Sequence, residues 1–280
     1  MRSAEYLAYL RRRYGLRPNR RLGQHFMVDD RLLRFMVEAA GVGPEDTVLE
    51  IGPGPGLLTR YLIERAGRVV AVELDERLVE VLERELGDAE NLEIVHADFL
   101  EYGVPEEVNK VVSNLPYQIS SEATFEILRS DVERAVLTYQ REFAERMTAE
   151  PGTRGYGRLT VMVNLLARVE VLRAVPRRAF VPPPRVSSAI VRLEPRPESE
   201  LPDVDPETLE AVCRGLFQHR RKTVRNALRL SAHEWGGDEE VVEEVLRRLP
   251  EELLDKRPLH LTPEEAVRVA RCVERARGSS

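Results

Sequence analysis

Between Thr47 and Tyr139 the apolar positions switch repeatedly between two spacings. Thr47-Val-Leu-Glu-Ile51, Arg68-Val-Val-Ala-Val-Glu-Leu-Asp75, Leu92-Glu-Ile-Val-His-Ala97, Lys110-Val-Val-Ser113 and Ala135-Val-Leu-Thr-Tyr139 are short, β-branched or aliphatic runs. Short apolar runs of this kind predict buried strands. Between the first three lie segments of helical spacing: Leu57 to Ala66, and Glu76 to Leu86 with Leu78, Val79, Leu82 and Leu86 on one side. Strands alternating with helices predict βαβ units, and right-handed crossovers make them a doubly wound α/β fold around a parallel sheet.

The second half reads differently. A helix over Phe143 to Thr148, a glycine loop over Gly152 to Gly157 and a helix over Leu159 to Ala167 precede two predicted strands, Val169 to Val175 and Ala189 to Leu193. Phe180-Val-Pro-Pro-Pro-Arg-Val-Ser187 between them is too proline-rich for regular structure. Glu194 to Pro202 has the composition of a linker. Pro206 to Arg277 is helix-patterned, with one break at Gly236-Gly237. The expected organisation is a larger α/β domain over residues 1–197 and a smaller all-α domain over 203–280.

Composition fits this picture: 280 residues, 42% hydrophobic and 32% charged, suit a globular chain with a real core. No apolar run reaches the roughly 18 residues of a membrane span, and the first residues are too charged for a secretory signal. Cys213 and Cys272 have no cysteine or histidine at metal-ligand spacing, so no metal is expected. Two lone thiols suit a reducing, cytoplasmic setting.

The net charge of −6 conceals a division. Residues 41–107 carry 17 acids and five bases, residues 1–25 carry seven bases and one acid, and residues 214–229 carry six bases and no acid. Basic blocks beside an acidic half suit a protein that grips a polyanion on one face; they equally suit solvated helix faces. The first segment, with Arg2, Arg11, Arg12, Arg13, Arg17, Arg20 and Arg21, reads as a basic arm.

Glu50-Ile-Gly52-Pro-Gly54-Pro-Gly56 follows the first predicted strand of the sheet and precedes a helix. Glycines there let backbone approach a ligand that any Cβ would block. Glu73 ends the next strand, where an acid can hold two ribose hydroxyls. Asp98 ends the third, where a carboxylate can accept from an adenine amine, with Phe99 beside the ring. Glu73 also suits a surface position, and Asp98 a helix N-cap. The spacing departs from the dinucleotide fingerprint, and no GxxxxGK[ST] exists for P-loop chemistry.

Asn114-Leu-Pro-Tyr117 closes the fourth strand, at the edge that faces the ligand crevice. The lone pair of an adenine N6 is delocalised into the ring. Two acceptors on its hydrogens, the Asn114 side-chain oxygen and the Leu115 carbonyl, would pull the nitrogen toward tetrahedral geometry and free the pair. Pro116 would fix the turn, and Tyr117 would offer a face for a flipped-out base. An ordinary turn would use the same residue types.

At this point the chain resembles the ribosomal RNA adenine N6-dimethyltransferase family. The resemblance rests on Leu22-Gly-Gln-His-Phe-Met27, Glu50-Ile-Gly-Pro-Gly54, Asn114-Leu-Pro-Tyr117, Gln140-Arg-Glu-Phe-Ala-Glu-Arg146 and Phe180-Val-Pro-Pro-Pro-Arg-Val-Ser-Ser188. It implies a Rossmann-like class I methyltransferase domain that binds S-adenosyl-L-methionine through Gln24, His25, Met27, Gly52, Gly54, Glu73, Leu74, Asp98, Phe99 and Asn114. It further implies a catalytic group of Asn114, Leu115, Pro116, Tyr117 and Phe180, with Phe180 near the target base. The helical domain would grip RNA, with Arg220, Arg221, Lys222 and Arg225 as phosphate contacts. Bacterial members usually carry Asn at the position of His25 and Leu at that of Met27; the histidine matches the archaeal and eukaryotic branches. Read by itself, His25 also suits a structural histidine and Phe180 a core residue.

The implied activity is methylation of two adjacent adenosines near the 3′ end of small-subunit rRNA, in a pre-ribosomal particle, by a monomeric enzyme. Methylation of a large-subunit adenine and assembly by binding alone are the competing readings.

Overall fold

The computed structural model describes residues 1–19 and 21–278; Arg20, counted above in the basic segment, lies outside the described residues. The chain divides into two compact units, Met1–Ala144 with Val169–Pro195, and Glu145–Arg168 with Arg196–Ser280.

The first unit opens with α1 (Ser3–Tyr14), β1 (Phe26–Met27) and α2 (Asp30–Ala40). It continues through β2 (Thr47–Ile51), α3 (Thr59–Leu62), β3 (Arg68–Glu73), α4 (Glu76–Leu86), β4 (Leu92–His96) and α5 (Phe99–Tyr102). β5 (Lys110–Ser113), α6 (Ser120–Leu128) and β6 (Arg134–Gln140) follow. The chain then passes through α7 (Arg141–Met147) and α8 (Arg158–Leu166), which from residue 145 belong to the second unit, and returns to the first with β7 (Ala167–Val175), β8 (Phe180–Val181) and β9 (Ser188–Pro195).

Among the described residues seven strands form one sheet in the order β4-β3-β2-β5-β6-β9-β7. The neighbours from β4 to β6 are parallel, and β9 runs antiparallel to β6. The chain steps outward from β2 to β4, then returns to the other side of β2 for β5. The ends of β2 and β5 therefore flank the crevice of a topological switch point, which is where open α/β sheets bind ligands. The central strands are buried: Val48, Leu49, Val111, Val112, Val136 and Leu137 are all inaccessible. This is why their sequences read as continuous apolar runs.

Four local differences from the sequence reading have physical causes. The basic arm is a helix: Tyr6, Leu7 and Leu10 share one face and join a core cluster with Leu33, Met36 and Val37 of α2. Arg11, Arg12 and Arg13 occupy its last turn, where the helix dipole favours cations, and Asp30 Oδ1 accepts from both Ser3 N (3.0 Å) and Ser3 Oγ (2.6 Å). The expected helix over 57–66 is mostly consecutive turns, with only Thr59–Leu62 helical. β3 stops at Glu73 because Asp75 caps α4, its side chain accepting from Arg77 N. Phe180–Val181, expected to be irregular, pairs antiparallel with Phe26–Met27, Met27 opposite Phe180.

The second unit adds α9 (Pro206–Gln218), α10 (Val224–Leu230), α11 (Glu239–Arg248), α12 (Glu251–Asp255) and α13 (Pro263–Arg277). Trp235 and Tyr156 are fully buried in it. Residues 145–168, expected within the α/β domain, group here instead. The helix α8 carries Leu159, Val161, Met162, Val163 and Leu165, all buried, and it packs against α9 and α13. Among the described residues no helix is long and apolar enough to cross a membrane.

Candidate active site

The turn after β2 is built on glycines held at positive φ. Gly52 has φ +65°, and a Cβ there would come within 2.9 Å of Pro116 Cγ, so the cofactor turn and the reaction turn touch at this residue. Gly54 has φ +61°, and its N–H donates to Glu73 Oε2 at 2.9 Å. The other oxygen, Glu73 Oε1, accepts from Asp75 N at 2.9 Å. Each carboxylate oxygen keeps a second acceptor site, which is what a ribose diol needs. Burial pushes the Glu73 carboxyl up from its ordinary range, against the pull of these N–H donors. Glu50 lies deeper, fully buried, and accepts from Thr59 Oγ1 at 2.6 Å. Burial pushes its carboxyl up to about 8, with the nearby Glu73 charge adding to the effect.

Asp98 is a helix N-cap that also reaches the cavity. Its Oδ1 caps α5 by accepting from Leu100 N at 2.9 Å, and the residue also lines the cavity, with the buried Phe99 next to it.

Asn114 sits at the tip of β5 with both ends of its amide bonded. Its Nδ2 donates to the His25 carbonyl at 3.0 Å, and its Oδ1 accepts from Thr138 Oγ1 at 2.8 Å. Leu115 is buried. The Tyr117 hydroxyl bonds Ser188 Oγ at 2.6 Å, and burial pushes its pKa up. The Tyr117 ring also stacks on His25, centroids 6.1 Å apart. His25 Nδ1 is 2.8 Å from the Pro182 carbonyl, so this histidine links the 22–27 segment to the proline-rich loop. Gln24 Nε2 donates to Asp75 Oδ2 at 2.9 Å and Gln118 Nε2 to the Arg21 carbonyl at 2.8 Å, which hold the same segment along the cavity.

One cavity collects nearly every cofactor and catalytic residue named from the sequence. Gln24, His25, Met27, Gly52, Gly54, Glu73, Leu74, Asp98, Phe99 and Asn114 line it, as do Leu115, Pro116 and Tyr117. Phe180 is the exception: it is 2% exposed, packed in the core cluster and paired with Met27, and it is not part of the cavity wall. The sequence reading missed the apolar walls from Leu33, Leu58 and Ile119. It also missed Thr138 behind Asn114, whose signal is a short polar side chain between Leu137 and Tyr139 in a buried strand.

In the helical unit the four proposed phosphate contacts are not equivalent. Arg220 donates to the carbonyls of Arg154 and Tyr156, at 3.4 and 3.3 Å. Arg225 pairs with Glu251, and with Asp255 at 3.9 Å. Arg221 and Lys222 are exposed. Among the described residues no cluster could hold a metal ion, and both cysteines are buried and free.

Residues 15–244 match the family described as ribosomal RNA adenine dimethylase. The chain belongs to this family. It is 70% identical over 278 residues to a probable ribosomal RNA small subunit methyltransferase A of Methanopyrus kandleri, covering 99% of this chain and 100% of that one. It is 48% identical over 255 residues to the protein of that name from Thermococcus gammatolerans, covering 91% and 89%. Among solved structures, it is similar to a dimethyladenosine transferase from Plasmodium falciparum (28% identity, TM-score 0.77, 90% and 98% coverage). It is also similar to the 23S rRNA methyltransferase ErmE (31% identity, TM-score 0.65, 89% and 99% coverage). As a family member the chain is an S-adenosylmethionine-dependent methyltransferase of ribosomal RNA adenine. The cavity fits that cofactor: glycine backbone open to close approach, spare acceptors on Glu73 for a diol, and Asp98 with Phe99 for an adenine.

Proposed function

We propose that the chain adds methyl groups to N6 of two adjacent adenosines near the 3′ end of small-subunit rRNA. It does so as a monomer on a pre-ribosomal particle in the cytoplasm. The observation that carries this reading is Asn114, held by two hydrogen bonds at the tip of β5, two residues before the proline that closes on the glycine turn. The bound cofactor supplies an electrophilic methyl group. The protein supplies alignment. The free lone pair of Asn114 Oδ1 and the Leu115 carbonyl accept the two amine hydrogens, which shifts the nitrogen lone pair out of conjugation. Pro116 fixes the turn, and Tyr117 gives the flipped base a stacking face. Arg221 and Lys222 contact phosphates of the substrate.

Support for a small-subunit target comes from the relatives that bear that name at up to 70% identity. ErmE has the lower TM-score of the two solved neighbours, 0.65 against 0.77. The test is methyl transfer to immature small subunits and, in parallel, to large-subunit RNA, read by mass spectrometry of the adenosines. Dimethyladenosine in the small-subunit arm is expected, and Asn114→Ala lowers the rate about 100-fold, the scale of a lost transition-state hydrogen bond. Label confined to the large-subunit arm would overturn the target. Binding to particles without transfer would favour an assembly role.

A further inference from the structure

The strand β6 carries a hydroxyl where none is needed for folding. Thr138 is fully inaccessible, between the apolar Leu137 and the buried Tyr139, and it pairs across the sheet with Ile190. Valine has the same shape, suits a strand at least as well and buries no polar atom. A buried hydroxyl therefore calls for a partner of its own. Two acceptors lie within reach: Asn114 Oδ1 at 2.8 Å and the Ser113 carbonyl at 3.4 Å. A threonine has one hydroxyl hydrogen, and the shorter contact takes it.

The consequence falls on the Asn114 amide. Its nitrogen end is fixed by the His25 carbonyl, since a flipped amide would set oxygen against oxygen there. Its oxygen end has two acceptor sites, and Thr138 fills one. We propose that Thr138 is a positioning residue for methyl transfer: it locks the Asn114 carboxamide in plane and leaves a single, directed acceptor site for one hydrogen of the target amine. The other hydrogen then has to go to the Leu115 carbonyl. With that acceptor fixed before substrate arrives, alignment of the amine requires no reordering of the side chain. Thr138 contacts Asn114 and the Ser113 carbonyl, so its effect on the site passes through the Asn114 amide and is expected mainly in turnover. This inference rests on Asn114 accepting from the amine, as proposed above.

Thr138→Val removes the hydroxyl and keeps the shape. In the full chain, with immature small subunits as substrate, kcat is expected to fall about tenfold, the scale of one directed hydrogen bond. KM for particles should stay within about twofold. Thr138→Ser restores the hydroxyl and is expected to recover most of kcat, although it loses the methyl and some stability. In an Asn114→Ala background, Thr138→Val should cost nothing further, because the group it orients is gone. A wild-type kcat in Thr138→Val beside an inactive Asn114→Ala overturns the role of Thr138 alone. So does a Thr138→Ser variant no better than Thr138→Val, or a further tenfold loss in the Asn114→Ala background. Wild-type turnover in Asn114→Ala overturns the parent reading, and this one with it.

Discussion

Gly52→Ala probes the contact on which the site depends. At φ +65° an alanine carries the left-handed penalty of about 1–2 kcal/mol. Its Cβ would also stand 2.9 Å from Pro116 Cγ and 3.2 Å from Pro116 Cδ. A proline ring cannot rotate away as a free side chain does, so the reaction turn itself must shift. Overpacking of this kind adds about 1 kcal/mol or more. The sum, about 2–3 kcal/mol, corresponds to a melting temperature lower by about 5–10 °C for a unit of this size. Because Pro116 follows Leu115 directly, displacing it moves the acceptor carbonyl, and kcat should fall well beyond what the lost stability explains. Gly56→Ala is the control. Its φ is +81° and its Cβ would meet Leu86 Cδ1 at 2.6 Å and Leu82 Cδ2 at 3.0 Å, the mobile ends of side chains on α4. It should lose comparable stability and keep its turnover below the melting transition. Calorimetric melting and single-turnover methyl transfer on both variants decide the matter. If Gly52→Ala melts and turns over like the wild type, or if Gly56→Ala loses as much kcat, the contact between the two turns is not what aligns the site.

Glu50 should make stability pH-dependent. Its carboxyl titrates at about 8 when folded and near its ordinary 4.5 when unfolded, so the folded state holds the extra proton between those values. Stability from this group is fully present below the lower value, declines as pH rises toward about 8 and is level above it. Glu50→Gln should flatten that part of the urea-midpoint profile between pH 5 and 8, and parallel profiles would contradict the assignment. In the helical unit, Arg221→Glu with Lys222→Glu should weaken RNA binding and reduce the salt slope by about 1.5–2. Arg225→Ala should leave that slope alone, because its guanidinium already serves Glu251. An unchanged slope in the double variant, or a larger effect from Arg225, would reverse the assignment.

The parts of the molecule legible from sequence are those in which a local pattern coincides with the final environment. The strands β2, β3, β5 and β6 are largely buried, so their apolar runs announce them, and the order of turns along the chain places Gly52 and Asn114 on one crevice. The parts that were not legible depend on pairings distant in the chain. β1 and β8 are two residues each, too short to show a period, and they exist only because residues 26–27 meet 180–181. The helix α1 was hidden by its arginines, since Tyr6, Leu7 and Leu10 make a narrow stripe among them. Phe180 was placed beside the target base by resemblance, while the register with Met27 turns it into the core.

That register also shows how the cofactor and substrate sides of the site share one support. Met27 lines the cavity and pairs with Phe180, and two residues further on the Pro182 carbonyl meets His25. The carbonyl of His25 in turn fixes the nitrogen end of Asn114. The segment that flanks the cavity, the proline-rich loop and the Asn114 amide proposed to meet the target amine are thus consecutive links in one hydrogen-bonded chain. A change at Pro182 should therefore reach Asn114 without touching either ligand. This accounts for three separated motifs acting as one site: each supplies a bond that the next requires for its orientation.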